Sequence, residues 1–185
     1  MTTRWIVTAL GKDRAGLVAG ITKVLYELGC NLEDSAMTRL EGEFTIMLIF
    51  SSPSRATEAM LRKRFAPVER SLHLTIHLKR LTTRESSTPH RRGPTYRISV
   101  YGADRAGIVY KVSDFLARSG VNITDVHTHR SPSSGSRKSP SLYLLLLEVE
   151  VPARRSASWL EGRLKRVAKQ LRVEVSLRPS ETAVL

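Results

Sequence analysis

The sequence predicts an α+β protein built as two tandem modules, each running strand, helix, strand, strand, helix, strand. Three observations predict it. Gly11, Asp13, Arg14, Ala15, Gly16, Val18, Leu25, Gly29, Asn31 and Asp34 recur as Gly102, Asp104, Arg105, Ala106, Gly107, Val109, Leu116, Gly120, Asn122 and Asp125, all at one offset of 91 without a gap. In both copies a short stretch of alternating apolar and polar residues precedes a stretch with apolar residues at helical spacing. A polar stretch with two prolines, Thr82–Pro94, separates the copies as a linker would. The predicted organisation is a first module over 1–81, a linker over 82–94 and a second module over 95–180.

In the first copy, Trp5 to Leu10 alternates as a half-buried strand does. Leu17, Val18, Ile21, Leu25 and Leu28 then mark one helix face, and Gly29 stands where a left-handed C-cap is wanted. A strand from about Asn31 turns at Glu41-Gly42 and returns as Phe44 to Phe50, a hairpin pattern. Pro53 and Ser54 open a weaker helix through about Arg70, and Leu72 to Leu81 closes the module as a strand. The second copy follows suit. Tyr96 to Tyr101 is its first strand, Ile108, Val109, Val112, Leu116 and Ala117 its first helix face, and Gly120 the cap. Trp159, Leu160, Leu164, Val167, Ala168 and Leu171 form the stripe of its last helix, before Val173, Val175 and Leu177. Residues 131–141, rich in serine with Pro132, Gly135 and Pro140, replace the tight turn as a flexible insertion. This element order is the ferredoxin-like pattern, an antiparallel sheet with both helices on one face.

Composition narrows the function classes. The hydrophobic fraction of 41% suits a globular protein. The longest apolar stretches are strand-length, short of the ~20 residues a membrane helix needs. The opening residues show no signal-peptide pattern, and Cys30 is the lone cysteine, so a cytoplasmic protein without disulfides is expected. The net charge of +13 is local: residues 154–172 hold seven basic side chains against Glu161. That segment is a solvated helix face, or a surface for an acidic partner or nucleic-acid backbone.

The repeated loop Gly11-Lys12-Asp13-Arg14-Ala15-Gly16 joins a strand to a helix N-terminus, where free N–H groups and the helix dipole favour a carboxylate or phosphate. Asp13 can accept from an ammonium, so the loop suits a zwitterion such as an amino acid. Equally, Asp13 and Asp104 can be plain helix N-caps and the glycines can serve the turn. Asn31 and Asn122 open the next strand and are expected beside these loops, either to bond a ligand or to tie off the helix end. Asp34 and Asp125 have no recurring acid–base partner. His127 and His129 share a strand face, as do His73 and His77, with too few companions for zinc. Nucleophile-elbow, phosphate-loop and zinc-protease motifs are missing, so the expectation is no enzyme, no catalytic residue, no metal and no cofactor.

These loops and the following Asn resemble the ACT domain, a ligand-sensing module of amino-acid metabolism. The run Gly29-Cys30-Asn31-Leu32-Glu33-Asp34-Ser35, with Met37-Thr38-Arg39-Leu40 and Gly42-Glu43-Phe44, resembles more closely the glycine cleavage system transcriptional repressor family of bacterial two-ACT proteins. The resemblance implies binding of an amino acid such as glycine at Asp13, Arg14, Ala15, Gly16, Leu17 and Asn31. In the second copy it implies Asp104, Arg105, Gly107, Ile108 and Asn122. It also implies a homodimer with sites between modules, and transcriptional control through a protein regulator partner. Two features depart from the family: Ala15 and Ala106 replace the turn's proline, and the second copy lacks the Ser-x-Met-Thr-Arg run. The alternative is a basic nucleic-acid binder, since RNA-recognition modules share the element order. The strands Phe44–Phe50 and Leu142–Glu148 lack the basic-glycine-aromatic pattern of such modules.

Overall fold

The computed structural model describes residues 2–53, 56–82, 93–131 and 141–180. The chain divides into two compact units, Met1–Thr88 and Pro89–Leu185. The first contains β1 (Thr2–Lys12), α1 (Leu17–Glu27), β2 (Asn31–Leu40), β3 (Glu43–Pro53), α2 (Glu58–Leu72) and β4 (Thr75–Leu81). The second contains β5 (Thr95–Ala103), α3 (Ile108–Arg118), β6 (Asn122–Ser131), β7 (Leu142–Glu150), α4 (Ala157–Leu171) and β8 (Val173–Pro179). Each sheet is antiparallel, in the order β2-β3-β1-β4 and β6-β7-β5-β8. This is the expected pair of ferredoxin-like α+β modules.

The period-two pattern decides which face is buried. Trp5, Val7 and Ala9 of β1 and Phe44, Ile46, Leu48 and Phe50 of β3 point one way. They join Leu17, Ile21, Val24 and Leu25 of α1 and Leu61 and Phe65 of α2 in one core. In the second unit Ile98, Val100, Leu145, Leu147 and Val149 meet Ile108, Val112, Leu116, Leu160 and Leu164. The Trp5 indole N–H is satisfied inside the first core by the Ser52 hydroxyl at 3.0 Å. The edge strand β2 pairs with β3 alone and leaves all ten of its residues exposed, among them Leu32, Met37 and Leu40.

The second halves of the modules also repeat, at an offset of 99 after the longer hairpin. The N-caps Thr57 and Ser156 accept from Met60 N and Trp159 N, at 3.3 and 3.2 Å. The C-caps His73 and Arg172 are left-handed, with φ of 52° and 53°. The buried pairs Leu61/Leu160 and Phe65/Leu164 keep the same register. One β-bulge recurs as well: β2 slips on β3 at Glu33, and β6 slips on β7 at Thr124.

Several expected details are corrected. Pro53 ends β3, and α2 begins at Glu58, where Thr57 can cap it and Pro53 could not. Leu72 belongs to the end of α2, and His73 caps that helix, so it shares no strand face with His77. Val18 and Val109 are exposed, and Val24 takes the core place on α1. The hydrophobic spacing gave a face about one residue too far round, because an apolar residue at the edge of a helical stripe can lie on either side of it. Of the expected linker and insertion, residues 83–92 and 132–140 lie outside the described residues.

Phe50 is fully buried at the centre of the first core. Phe50→Ala is expected to remove about 3–5 kcal/mol of stability, and Thr57→Ala about 1 kcal/mol by loss of one cap. Urea denaturation of the two variants checks the ranking.

Candidate ligand-binding loops

Two glycines bound each loop, for different physical reasons. A Cβ on Gly11 would stand 2.8 Å from the His73 carbonyl oxygen and 2.9 Å from Leu74 Cδ2. A Cβ on Gly102 would stand 2.9 Å from Val173 Cγ1. These two let the end of the first strand close on the start of the last. Gly16 and Gly107 instead hold φ at 92°, and a Cβ on either would meet nothing within 4 Å. There the backbone requires glycine while the space beside it stays open.

Gly16 and Gly107 are themselves the N-caps of α1 and α3, with no side-chain cap. Asp13 and Asp104 are therefore not the helix caps. Asp13 Oδ2 lies 3.2 Å from Arg39 Nη1 on β2, and Asp104 Oδ2 lies 2.8 Å from Arg130 Nε on β6. Their backbone N–H groups donate to the Gly42 and Ser141 carbonyls, at 2.9 and 2.8 Å. The Asp–Arg pair is thus made twice, and Arg39 and Arg130 stand at the same offset of 91 as the loop. Their neighbours along the chain differ, Thr38 and Leu40 against His129 and Ser131, so the match is inconspicuous in the sequence. Each loop presents a carboxylate, a guanidinium and an uncapped helix N-terminus together, a set able to meet both ends of a zwitterion.

The remaining loop residues divide by environment. Arg14 Nη2 donates to the Ser71 carbonyl at 2.9 Å, bracing the C-terminal end of α2. The side chains of Leu17 and Ile108 are in the cores, so only their backbone can face a ligand. Ala15 and Arg105 are exposed. Cys30 packs against the first core, and burial pushes its thiol up from the ordinary range, away from the thiolate a nucleophile needs. His127 Nε2 lies 2.9 Å from Asp125 Oδ2. Among the described residues no three His, Cys, Asp or Glu side chains gather as metal ligands.

Asn31 and Asn122 do not lie beside the loops of their own modules. Each loop precedes a helix and each Asn follows it, and α1 and α3 have 11 residues each. At 1.5 Å per residue the two ends are roughly 16 Å apart. The register agrees: Asn31 pairs with Ser51, which pairs with Arg4 at the start of β1, whereas Lys12 faces Glu43 at the other end. Nor do the Asn side chains tie off the helices. Schellman bonds do so: Cys30 N to Leu25 O and Gly29 N to Tyr26 O, and likewise Val121 N to Leu116 O and Gly120 N to Ala117 O. Asn122 lines two concavities of about 700 and 440 Å³.

Fold and loops together define a tandem βαββαβ protein with a duplicated, uncapped, charge-paired turn. The chain belongs to the ACT domain family, whose model matches residues 3–84 and again 97–178. It is 26% identical over 180 residues to the glycine cleavage system transcriptional repressor of Escherichia coli, covering 97% of this chain and 89% of that one. A UPF0237 protein of Streptococcus mutans is 39% identical over 74 residues, 40% of this chain and 84% of that protein. The crystal structure of a protein of unknown function from Galdieria sulphuraria superimposes with a TM-score of 0.80 at 24% identity, covering 98% and 100% of the two chains. These likenesses support the resemblance read from the sequence and give the nucleic-acid alternative no support.

Gly16→Ala is expected to cost at least about 1–2 kcal/mol through backbone conformation alone. The Asp13–Arg39 pair is exposed, so Arg39→Ala is expected to cost less than about 1 kcal/mol. Thermal melts of both variants test this division between loop shape and loop charge.

Proposed function

We propose that the protein is a non-enzymatic regulator that binds an amino acid such as glycine and modulates gene expression, through a protein partner. One observation carries this reading. The two helices that follow the repeated loop lack a side-chain cap, whereas the other two are capped by Thr57 and Ser156. The uncapped ends are also where an Asp–Arg pair stands in both modules. An open helix N-terminus offers N–H donors to a ligand carboxylate, and the neighbouring aspartate offers an acceptor to its ammonium. The relationship to the Escherichia coli repressor, which spans nearly the whole chain, supports a role in transcriptional control. The exposed edge strand β2 supports homodimer formation, which would bring Asn31 of one copy toward the loop of another. No helix among the described residues is long and apolar enough to cross a membrane.

The test is a thermal-shift and calorimetric panel of the amino acids at millimolar concentration. At least one is expected to raise the melting point, because a ligand at 100 times its Kd adds about 2.7 kcal/mol. Asp13→Ala and Asp104→Ala are expected to reduce the shift. A flat panel removes the sensing reading.

A further inference from the structure

We infer that the second module holds a self-contained site for an α-amino acid at the far end of its sheet from the loop, with Glu150 and Arg154 as its charged walls. The proposal rests on the amino-acid reading above but places a site where the loop does not reach. A concavity of about 700 Å³ is lined by Gly93, Gly120, Asn122, Glu150, Pro152, Ala153 and Arg154. That volume is within the range of small-molecule sites. Asn122, Glu150 and Arg154 bring complementary chemistry to its lining. The Glu150 carboxylate and the Arg154 guanidinium make no ion pair with any described residue. Glu150 is the direct cross-strand partner of Asn122, so these two side chains share one face.

The frame of this site explains why the charges stay apart. The Arg154 guanidinium lies against the C-terminal cap of α3, where a Cβ on Gly120 would stand 3.4 Å from its Nη2. The negative end of that helix favours a cation there. Across the cavity, the Val151 N–H donates to the Pro94 carbonyl at 3.1 Å, fixing the strand end that carries Glu150. Gly93 packs directly on the Val151 carbonyl, leaving no room for a side chain. An α-amino acid fits with its carboxylate on Arg154, its ammonium on Glu150, and the Asn122 amide donating to one end and accepting from the other. Pro152 and Ala153 offer an apolar wall to its side chain. In the first module Ser51, a neutral residue, occupies the register position of Glu150 opposite Asn31, and the nearby acid and arginine, Glu33 and Arg4, are joined to each other at 2.7 Å.

Calorimetry on the full chain with the twenty α-amino acids, followed by the N-acetyl and amide derivatives of the binder, tests this. Glu150→Gln and Arg154→Met are each expected to weaken binding at least tenfold, with circular dichroism showing both variants folded. Glu150→Gln is expected to abolish discrimination against the N-acetyl derivative, and Arg154→Met discrimination against the amide. Arg154→Lys, which keeps the charge, should recover part of the loss. If both pocket variants bind as the wild type does while Asp13→Ala or Asp104→Ala lose binding, the pocket is wrong and the loop reading stands. If the pocket variants weaken binding and the loop variants do not, the pocket stands and the loop reading falls. A wild-type chain that binds no amino acid overturns both.

Discussion

Everything in these modules follows from burying one face of a four-stranded sheet under two helices. Each helix must return the chain from one end of the sheet to the other, so a strand-to-helix loop and the residue after that helix are separated by the helix itself. The loop at Gly16 and the strand start at Asn31 are thereby held at opposite ends of one module. The same is true of Gly107 and Asn122. Two polar features that look like one site in sequence become two places in space, each with its own chemistry.

That separation also marks the limit of what the sequence made legible. Strand alternation and glycine position read out the element order, because the cores and the caps each depend on single residues such as Trp5, Phe50 and Gly29. The Asp13–Arg39 pair was hidden because Arg39 sits on a strand 26 residues away, and its contact depends on the register of β2 on β3. The repeat of the second halves was hidden by the insertion, which shifts the offset from 91 to 99. The paired caps, Thr57 with Ser156 and His73 with Arg172, and the buried pairs Leu61/Leu160 and Phe65/Leu164 bring it back into view. Asn31 and Asn122 are close to the loops along the chain but distant in space, because an 11-residue helix stands between them.

The modules have drifted apart chemically while keeping one frame. Both retain the Asp–Arg pair, the open helix end and the bulge near the start of the edge strand. Among the described residues the second sets an acid and an arginine that are not paired with each other around its Asn, whereas near Asn31 the acid and the arginine, Glu33 and Arg4, pair at 2.7 Å. Helix α4 also carries the larger basic excess, four Lys/Arg against one Glu where α2 has four against two. On α2, Arg62 pairs with Glu58 and Arg64 with Glu27. On α4, Lys165 pairs with Glu161, while Arg163 stacks near Trp159 and Arg166 and Lys169 find no ion-pair partner among the described residues.

The repeated, uncapped loops are the proposed ligand sites. The most direct measurement is a residue-resolved NMR titration of the full chain with the amino acids. Saturable amide shifts are expected at Gly16, Leu17 and Val18 and at Gly107, Ile108 and Val109, the donors at the two open helix ends. Saturable binding that leaves these amides unmoved would contradict that assignment.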